Sequence, residues 1–473
     1  MKNIKIFKVF LVLAFFTSSC SGFLDVNPAD ALTKDNAIET IEDLKTALNG
    51  AYSGLMGSGY YGCDFIARAD VGGEDVQTSL TGKRTELFYK HAYRQANVPV
   101  GLWEIPYRVI NRTNVILGVI ESGKLADDKE KTLETAKGEA LALRALCHFD
   151  LVITYGLPYT KNGGTTFGVP LALVEMAPDA LPGRSSVADV YVKVIADLLE
   201  ARKLLASKKE QTNGHFNLWA VEGLLSRVYL YMDNYDEAYK YAGNVIEKSP
   251  YKLLKREEYV AAWGEEYNSE SVFDLHISDL SSGNRELLGY LIDTSGYAAV
   301  VATQDFENLI KETPGDIRME LLKPAAAAGQ FIIDKYPGRK GSTAVNNVRV
   351  VRLSELYLIA AESALKKGSK DQAAADKYYN AIVNRATGGS GNTPATLDLI
   401  YKERRKELVM EGHRLFDILR LGITVKREGG HHFLSKAVDL IAPNVDDYRV
   451  ILPIPQDEID VNENIIGQQN PNY

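Results

Sequence analysis

Cysteine is scarce in this chain: Cys20, Cys63 and Cys147 are the only three in 473 residues. There is no C-x-x-C and no cysteine–histidine spacing of a zinc site. Cys63 and Cys147 make no disulfide framework, and nothing in their spacing selects a bridge, so two unpaired thiols are expected. Histidine (7) and tryptophan (3) are also few. The H-E-x-x-H, G-x-S-x-G and P-loop lysine patterns are absent, which leaves the usual catalytic apparatus thin. Positive charge is in deficit, with 54 Lys and Arg against 62 Asp and Glu and a net charge of -8. That balance argues against a nucleic-acid partner, which needs a basic face. After residue 16 no apolar run approaches the roughly 20 residues that span a bilayer.

The start of the chain is rich where the rest is poor. Lys2, Lys5 and Lys8 precede an unbroken apolar run from Val9 to Phe16, followed by Thr17, Ser18, Ser19 and Cys20. A positive segment, a short apolar core and small residues form a secretory leader, here residues 1–19. A cysteine directly after the small residues resembles a bacterial lipobox, with Thr17 where leucine is common. Cys20 is therefore the expected lipidation site. Stable anchoring takes two or more acyl chains, and a bacterial lipoprotein cysteine carries them. Residues 20–35, with Asn27-Pro28, read as a tether. Residues 36–473 read as one mostly α domain.

Apolar spacing predicts helices over residues 36–56, 103–120, 136–155 and 186–205. Ala136, Ala140, Leu143, Cys147 and Leu151 form one stripe. Residues 219–250 carry Leu225, Tyr229, Ala238 and Pro250 at tetratricopeptide-repeat spacings, with Asp233-Asn234 between two helices. A second pair spans residues 353–385, and the helices at 136–205 form a third with a long insert. Such pairs stack into a superhelix, because one pair cannot bury its own face. Two loop-rich insertions, about 57–97 and 255–345, interrupt the scaffold. The second carries two short strand patterns, Ser271–Leu275 and Gln330–Lys335.

Binding is expected on these insertions, because loops on rigid scaffolds carry function. Tyrosine offers an apolar face and a hydroxyl, and there are 26 of them. Tyr60, Tyr61, Tyr89 and Tyr93 lie in the first insertion, and Tyr267, Tyr290 and Tyr297 in the second. All seven are candidate ligand contacts. Asp70 and Glu74, next to Asp75, could bond sugar hydroxyls or hold a structural calcium ion through oxygens; an acidic loop with no partner is the equal alternative. Gly57, Gly59 and Gly62 spell G-x-G-x-x-G but follow a helical pattern with no βαβ unit, so no dinucleotide site is expected. Glu403, Glu407 and Glu411 share one helix face. Surrounding arginines make an ion-pair network the better reading than an acid–base pair.

Seven segments in order resemble the SusD/RagB family of outer-membrane lipoproteins. They are CSGFLDVNP from Cys20, YRVINRTNVIL from Tyr107, KGEALALRALCHFDLVITYG from Lys137 and LLSRVYLYMDNYDEAYKYAGNVI from Leu224. RLSELYLIAAESALKKG from Arg352, ERRKELVMEGHRLFDILRLG from Glu403 and LPIPQDEIDVNENIIGQQNPNY from Leu452 complete the set. The resemblance implies tetratricopeptide-like helix pairs, lipid anchoring in the outer membrane and display at the cell surface. It implies a non-catalytic role: capture of oligosaccharide and delivery to a SusC-like, TonB-dependent transporter. The RagB branch implies the alternative of peptide capture. Ligand residues vary across the family, so none is carried over.

Overall fold

The computed structural model describes residues 38–80, 82–177, 179–211, 214–281, 284–427, 432 and 443–473. The leader, Cys20 and the tether lie outside the described residues. The described residues form a helical scaffold with three short two-stranded sheets.

Helix α1 (Ile41–Leu55) starts at Thr40, whose hydroxyl accepts from the Asp43 amide while Asp43 accepts from the Thr40 amide. This reciprocal cap satisfies two otherwise orphan donors. The first excursion then leaves the scaffold. It contains α2 (Asp64–Val71), β1 (Val76–Thr78) and α3 (Glu86–Lys90). The chain returns as α4 (Gly101–Glu121), which packs directly on α1. Next come α5 (Thr132–Tyr155), α6 (Val187–Leu204), α7 (Leu218–Tyr231) and α8 (Tyr235–Lys248), each packed on the one before. The α5 stripe seen in the sequence is buried, and so is nearly every other face of that helix from Gly138 onward, because α4, α6 and α1 surround it. Asp233 takes φ 57° in the α7–α8 turn, and Ala238 is fully buried where the two helices cross.

The second excursion follows α8. It holds β2 (Ser271–Leu275), α9 (Leu288–Ile292), β3 (Val300–Ala302), α10 (Gln304–Lys311), β4 (Leu322–Pro324), β5 (Phe331–Ile333) and β6 (Val348–Arg352). The scaffold resumes with α11 (Leu353–Lys366), packed directly on α8 as though nothing intervened. Helices α12 (Gln372–Thr387), α13 (Leu397–Leu408), α14 (Arg414–Arg420) and α15 (Gln456–Val461) follow. Both expected strands are present, β2 over the expected residues and β5 inside its wider range. β2 runs antiparallel to β6, and β4 to β5.

The first excursion departs from the sequence reading. It is not an open polar loop: Phe65 to Val71 are buried throughout. Its glycines serve close packing. A Cβ on Gly62 would stand 2.4 Å from the Met56 carbonyl, and one on Gly101 2.8 Å from the Gly59 Cα. Residues 57–76 of it are closely packed rather than open to solvent.

The helix carrying Glu403 and Glu407 ends at Leu408, so Glu411, expected on the same helix face, sits in the turn beyond it; the three carboxylates together knit the second excursion to the scaffold. Glu407 accepts from Arg352 (2.8 Å), Arg385 (2.7 Å) and Arg318 (3.1 Å). Glu403 accepts from Arg318 (2.7 Å), and Glu411 from Arg352 (2.8 Å) and Lys335 (2.6 Å). Glu270 adds a third anion to Arg352 and a second to Arg385. Every member is buried. Buried charges persist only when paired and bonded in this way. Cys63 and Cys147 are buried free thiols.

Candidate functional site

The two excursions meet. β1 pairs antiparallel with β3, Val76 opposite Ala302 and Thr78 opposite Val300. Backbone bonds extend the seam: Ser79 donates to Ala299 (2.9 Å), Thr303 to Asp75 (3.0 Å) and Leu288 to Gly62 (2.8 Å). Segments more than 200 residues apart thus build one face of the molecule.

Two tyrosines of the second excursion lie on that face. Tyr290 is half-buried and Tyr297 is 37% exposed; their rings stand edge to face with centroids 5.2 Å apart. The Arg285 guanidinium lies 5.8 Å above the Tyr290 ring. A tight loop holds the pair. The Tyr297 amide donates to the Tyr290 carbonyl (2.9 Å), and Asp293 caps the turn by accepting from the Ser295 amide (2.7 Å). A Cβ on Gly296 would fall 2.1 Å from the Tyr290 carbonyl, so only glycine closes this loop. Tyr267, also half-buried, stacks instead on His276, centroids 6.0 Å apart.

The first excursion adds cations that the tyrosine-centred sequence reading missed. The Lys83 ammonium donates to the Tyr297 carbonyl (2.8 Å), and Arg84 donates to Glu286 (2.5 Å). Lys83, Arg84, Glu86, Leu87, Lys90, Ala92, Arg94 and Asn97 line a surface depression of about 470 Å³. The cation spacing along residues 83–94 was visible in the sequence. Its position beside Tyr297 was not.

The remaining candidates have work in the core. Tyr60, Tyr61, Asp70, Glu74, Tyr89 and Tyr93 are each at most 5% exposed. Tyr60 donates to Asp150 (2.5 Å), and Tyr61 packs on Tyr60 with centroids 4.7 Å apart. Asp70 accepts from the Met410 and Gly412 amides (2.8 and 2.7 Å). Glu74 binds Arg414, and Asp75 binds Arg405. The calcium reading falls with these contacts, since the oxygens already face amides and guanidinium groups. Tyr89 pairs with His432 (2.9 Å) beneath Arg427, and Tyr93 lies edge-on to His91. None of these six offers a face to a ligand here. Among the described residues no group of three or more His, Cys, Asp or Glu is placed to hold a metal ion.

Asp150 yields a pH test. Burial pushes its carboxyl up to about 7. A carboxyl raised by folding favours the folded state below its unfolded value, near 4, and withdraws that support as pH climbs through the folded value. Measured against Asp150→Asn, the wild type is expected to lose on the order of 2–4 kcal/mol between about pH 4 and pH 7. Urea midpoints across that range check this, and a constant difference would contradict it.

A second concavity of about 520 Å³ lies along α4, over Trp103, Tyr107, Arg108 and Asn111, with Pro170, Met176 and Glu458 opposite. The Trp103 indole donates to Glu458 (3.2 Å) and the Tyr107 hydroxyl to the Pro170 carbonyl (2.8 Å). Trp103 is 4% exposed, so its ring offers no stacking face. Glu403, Glu407 and Glu411 are likewise buried, each held in the ion pairs described above.

A family model described as "Starch-binding associating with outer membrane" matches residues 22–230, and a SusD family model matches residues 329–473. SusD-like protein P25 of Formosa agariphila is 24% identical over 531 residues, covering 96% of both chains. The crystal structure of a SusD superfamily protein from Bacteroides thetaiotaomicron superposes with a TM-score of 0.86 at 37% identity, over 91% of this chain and 100% of that one. A SusD-like carbohydrate binding protein from Bacteroides vulgatus superposes with a TM-score of 0.79 at 24% identity, over 91% of this chain and 98% of that one. The helix-pair scaffold, its two excursions and these likenesses agree: the chain belongs to the SusD family.

Proposed function

We propose that this protein captures oligosaccharides at the bacterial cell surface without cleaving them. It passes them to a SusC-like, TonB-dependent transporter, while acyl chains on Cys20 hold it to the outer membrane. One observation carries the reading. Two distant excursions join, and the seam presents an edge-to-face tyrosine pair flanked by Lys83 and Arg285. Tyrosine faces suit the apolar side of a sugar ring, and guanidinium and ammonium donors suit its oxygens. The carbohydrate-binding relative supports the ligand class.

Calorimetry of the mature protein against a glycan panel tests the reading. The double variant Tyr290→Ala, Tyr297→Ala is expected to weaken binding about tenfold or more. Its unfolding temperature should stay close to wild type, since the pair sits at the surface. Peptide binding with no glycan binding would replace oligosaccharide by peptide as the cargo. Anchoring is tested separately: Cys20→Ser is expected to release the protein from the membrane fraction. Retention of that variant in the membrane would refute the acyl tether.

A further inference from the structure

The depression beside Tyr297 is rich in donors and poor in acceptors, on a chain whose net charge is -8. Its lining carries four cations, Lys83, Arg84, Lys90 and Arg94, against one acid, Glu86. That acid is engaged, by the Lys90 ammonium and the Gly82 amide. Arg84 is shared between Glu286 (2.5 Å) and Asp64 (3.6 Å). Among the described residues the other two cations meet no carboxylate. Lys83 bonds a backbone carbonyl, which carries no net charge, and the Arg94 side chain meets no acceptor among the described residues. The amide oxygen of Asn97 already accepts from the Arg94 backbone (2.7 Å). Leu87 and Ala92 add apolar lining.

A neutral sugar presents hydroxyls that donate as readily as they accept, and it would find few open acceptors here. A carboxylate or a sulfate ester only accepts. The planar fork of an arginine matches either group with two parallel bonds. Lys83 links the cationic lining to the tyrosine pair, so one saccharide can rest against Tyr297 while the next sets its anion among Lys83 and Arg94.

We propose that the oligosaccharide taken by this site is anionic, bearing uronate carboxylates or sulfate esters, and that Lys83 and Arg94 read the charge. This rests on the glycan-capture reading and narrows it.

Calorimetry decides it with three probes of matched length: oligogalacturonate, a sulfated galacto-oligosaccharide and a neutral galacto-oligosaccharide. At least one anionic probe should bind about tenfold more tightly than the neutral one. That preference should shrink as NaCl is raised from about 0.05 M to about 0.5 M. Arg94→Gln should weaken the anionic probe roughly threefold to tenfold and leave the neutral one unchanged, whereas Lys83→Gln, which also removes the bond to the Tyr297 carbonyl, should weaken both but the anionic probe more. Whichever anionic probe binds identifies the group as carboxylate or sulfate. Tight neutral binding that ignores salt and both substitutions would overturn the anionic assignment and leave glycan capture standing. Failure of all three probes, together with failure of the wider glycan panel, would remove both.

Discussion

Replacing Glu407 by alanine is expected to lower folding stability by about 3–5 kcal/mol at neutral pH. Glu407 has no exposed surface and accepts from three arginines and, at 3.4 Å, from the Tyr259 hydroxyl. Its removal leaves Arg318, Arg352 and Arg385 in the interior with one anion fewer. Those cations hold the second excursion, α12 and α13 together, so the loss is spread over the fold. The neighbouring guanidinium groups hold Glu407 well below the usual carboxylate range and draw Glu411 down to about 2. A carboxyl lowered by folding stabilises the protein above its unfolded value, near 4.5, and that support fades as pH falls toward the folded value. The gap between wild type and Glu407→Ala should therefore be widest above about pH 5 and should narrow in acid. Urea unfolding at several pH values measures this. Glu200→Ala is the control: its pair with Lys203 is exposed, and its loss should change stability by less than about 1 kcal/mol. Equal effects from the two substitutions would contradict the buried network.

Replacing Arg184 by methionine is expected to cost about 3 kcal/mol or more and to free the C-terminal tail. Arg184 is buried and, among the described residues, has no carboxylate partner. Its guanidinium donates to the carbonyls of Gly168 (2.7 Å), Tyr155 (3.0 Å), Phe167 (3.2 Å) and Gln468 (2.5 Å), and to the Asn470 side chain (3.0 Å). Burial brings its pKa down to about 10, which still leaves it charged at neutral pH. Methionine fills similar space but donates nothing, so five acceptors lose a charged donor. Lysine, lacking the planar fork, should fall between the two. Global loss is read from urea midpoints, and release of the tail from faster amide exchange over residues 464–473. Unchanged exchange there would show that the tail's other bonds, from Asn470 to Tyr155 and Leu452, from Gln469 to Ile454 and from Tyr473 to Ile451, hold it without Arg184.

Much of the scaffold was open to reading from spacing. The expected helix at 103–120 is Gly101–Glu121, that at 186–205 is Val187–Leu204, and the pair at 353–385 is Leu353–Lys366 with Gln372–Thr387. Each is set by apolar periodicity and by local stops, and these are contained in a short window of chain. The same arithmetic misread residues 57–97. Glycine, tyrosine and aspartate there have loop composition, yet the partners that bury them are remote in sequence. Asp70 bonds amides 340 and 342 residues away, and Arg414 covers Glu74 from 340 residues away. No local pattern reports such a pairing. Tyr290 and Tyr297 were chosen by the same rule as Tyr60 and Tyr89. They differ only in what the rest of the chain lays over them.

The amino-acid order alone specified the helix pairs and where they are interrupted, because periodicity and breakers act within a few turns. Which excursion residues face outward was decided by the tertiary structure. The β1–β3 seam, the α14 arginines and the carboxylates of α13 each require segments far apart in the chain to meet, and their bonds exist only after the scaffold has closed around them.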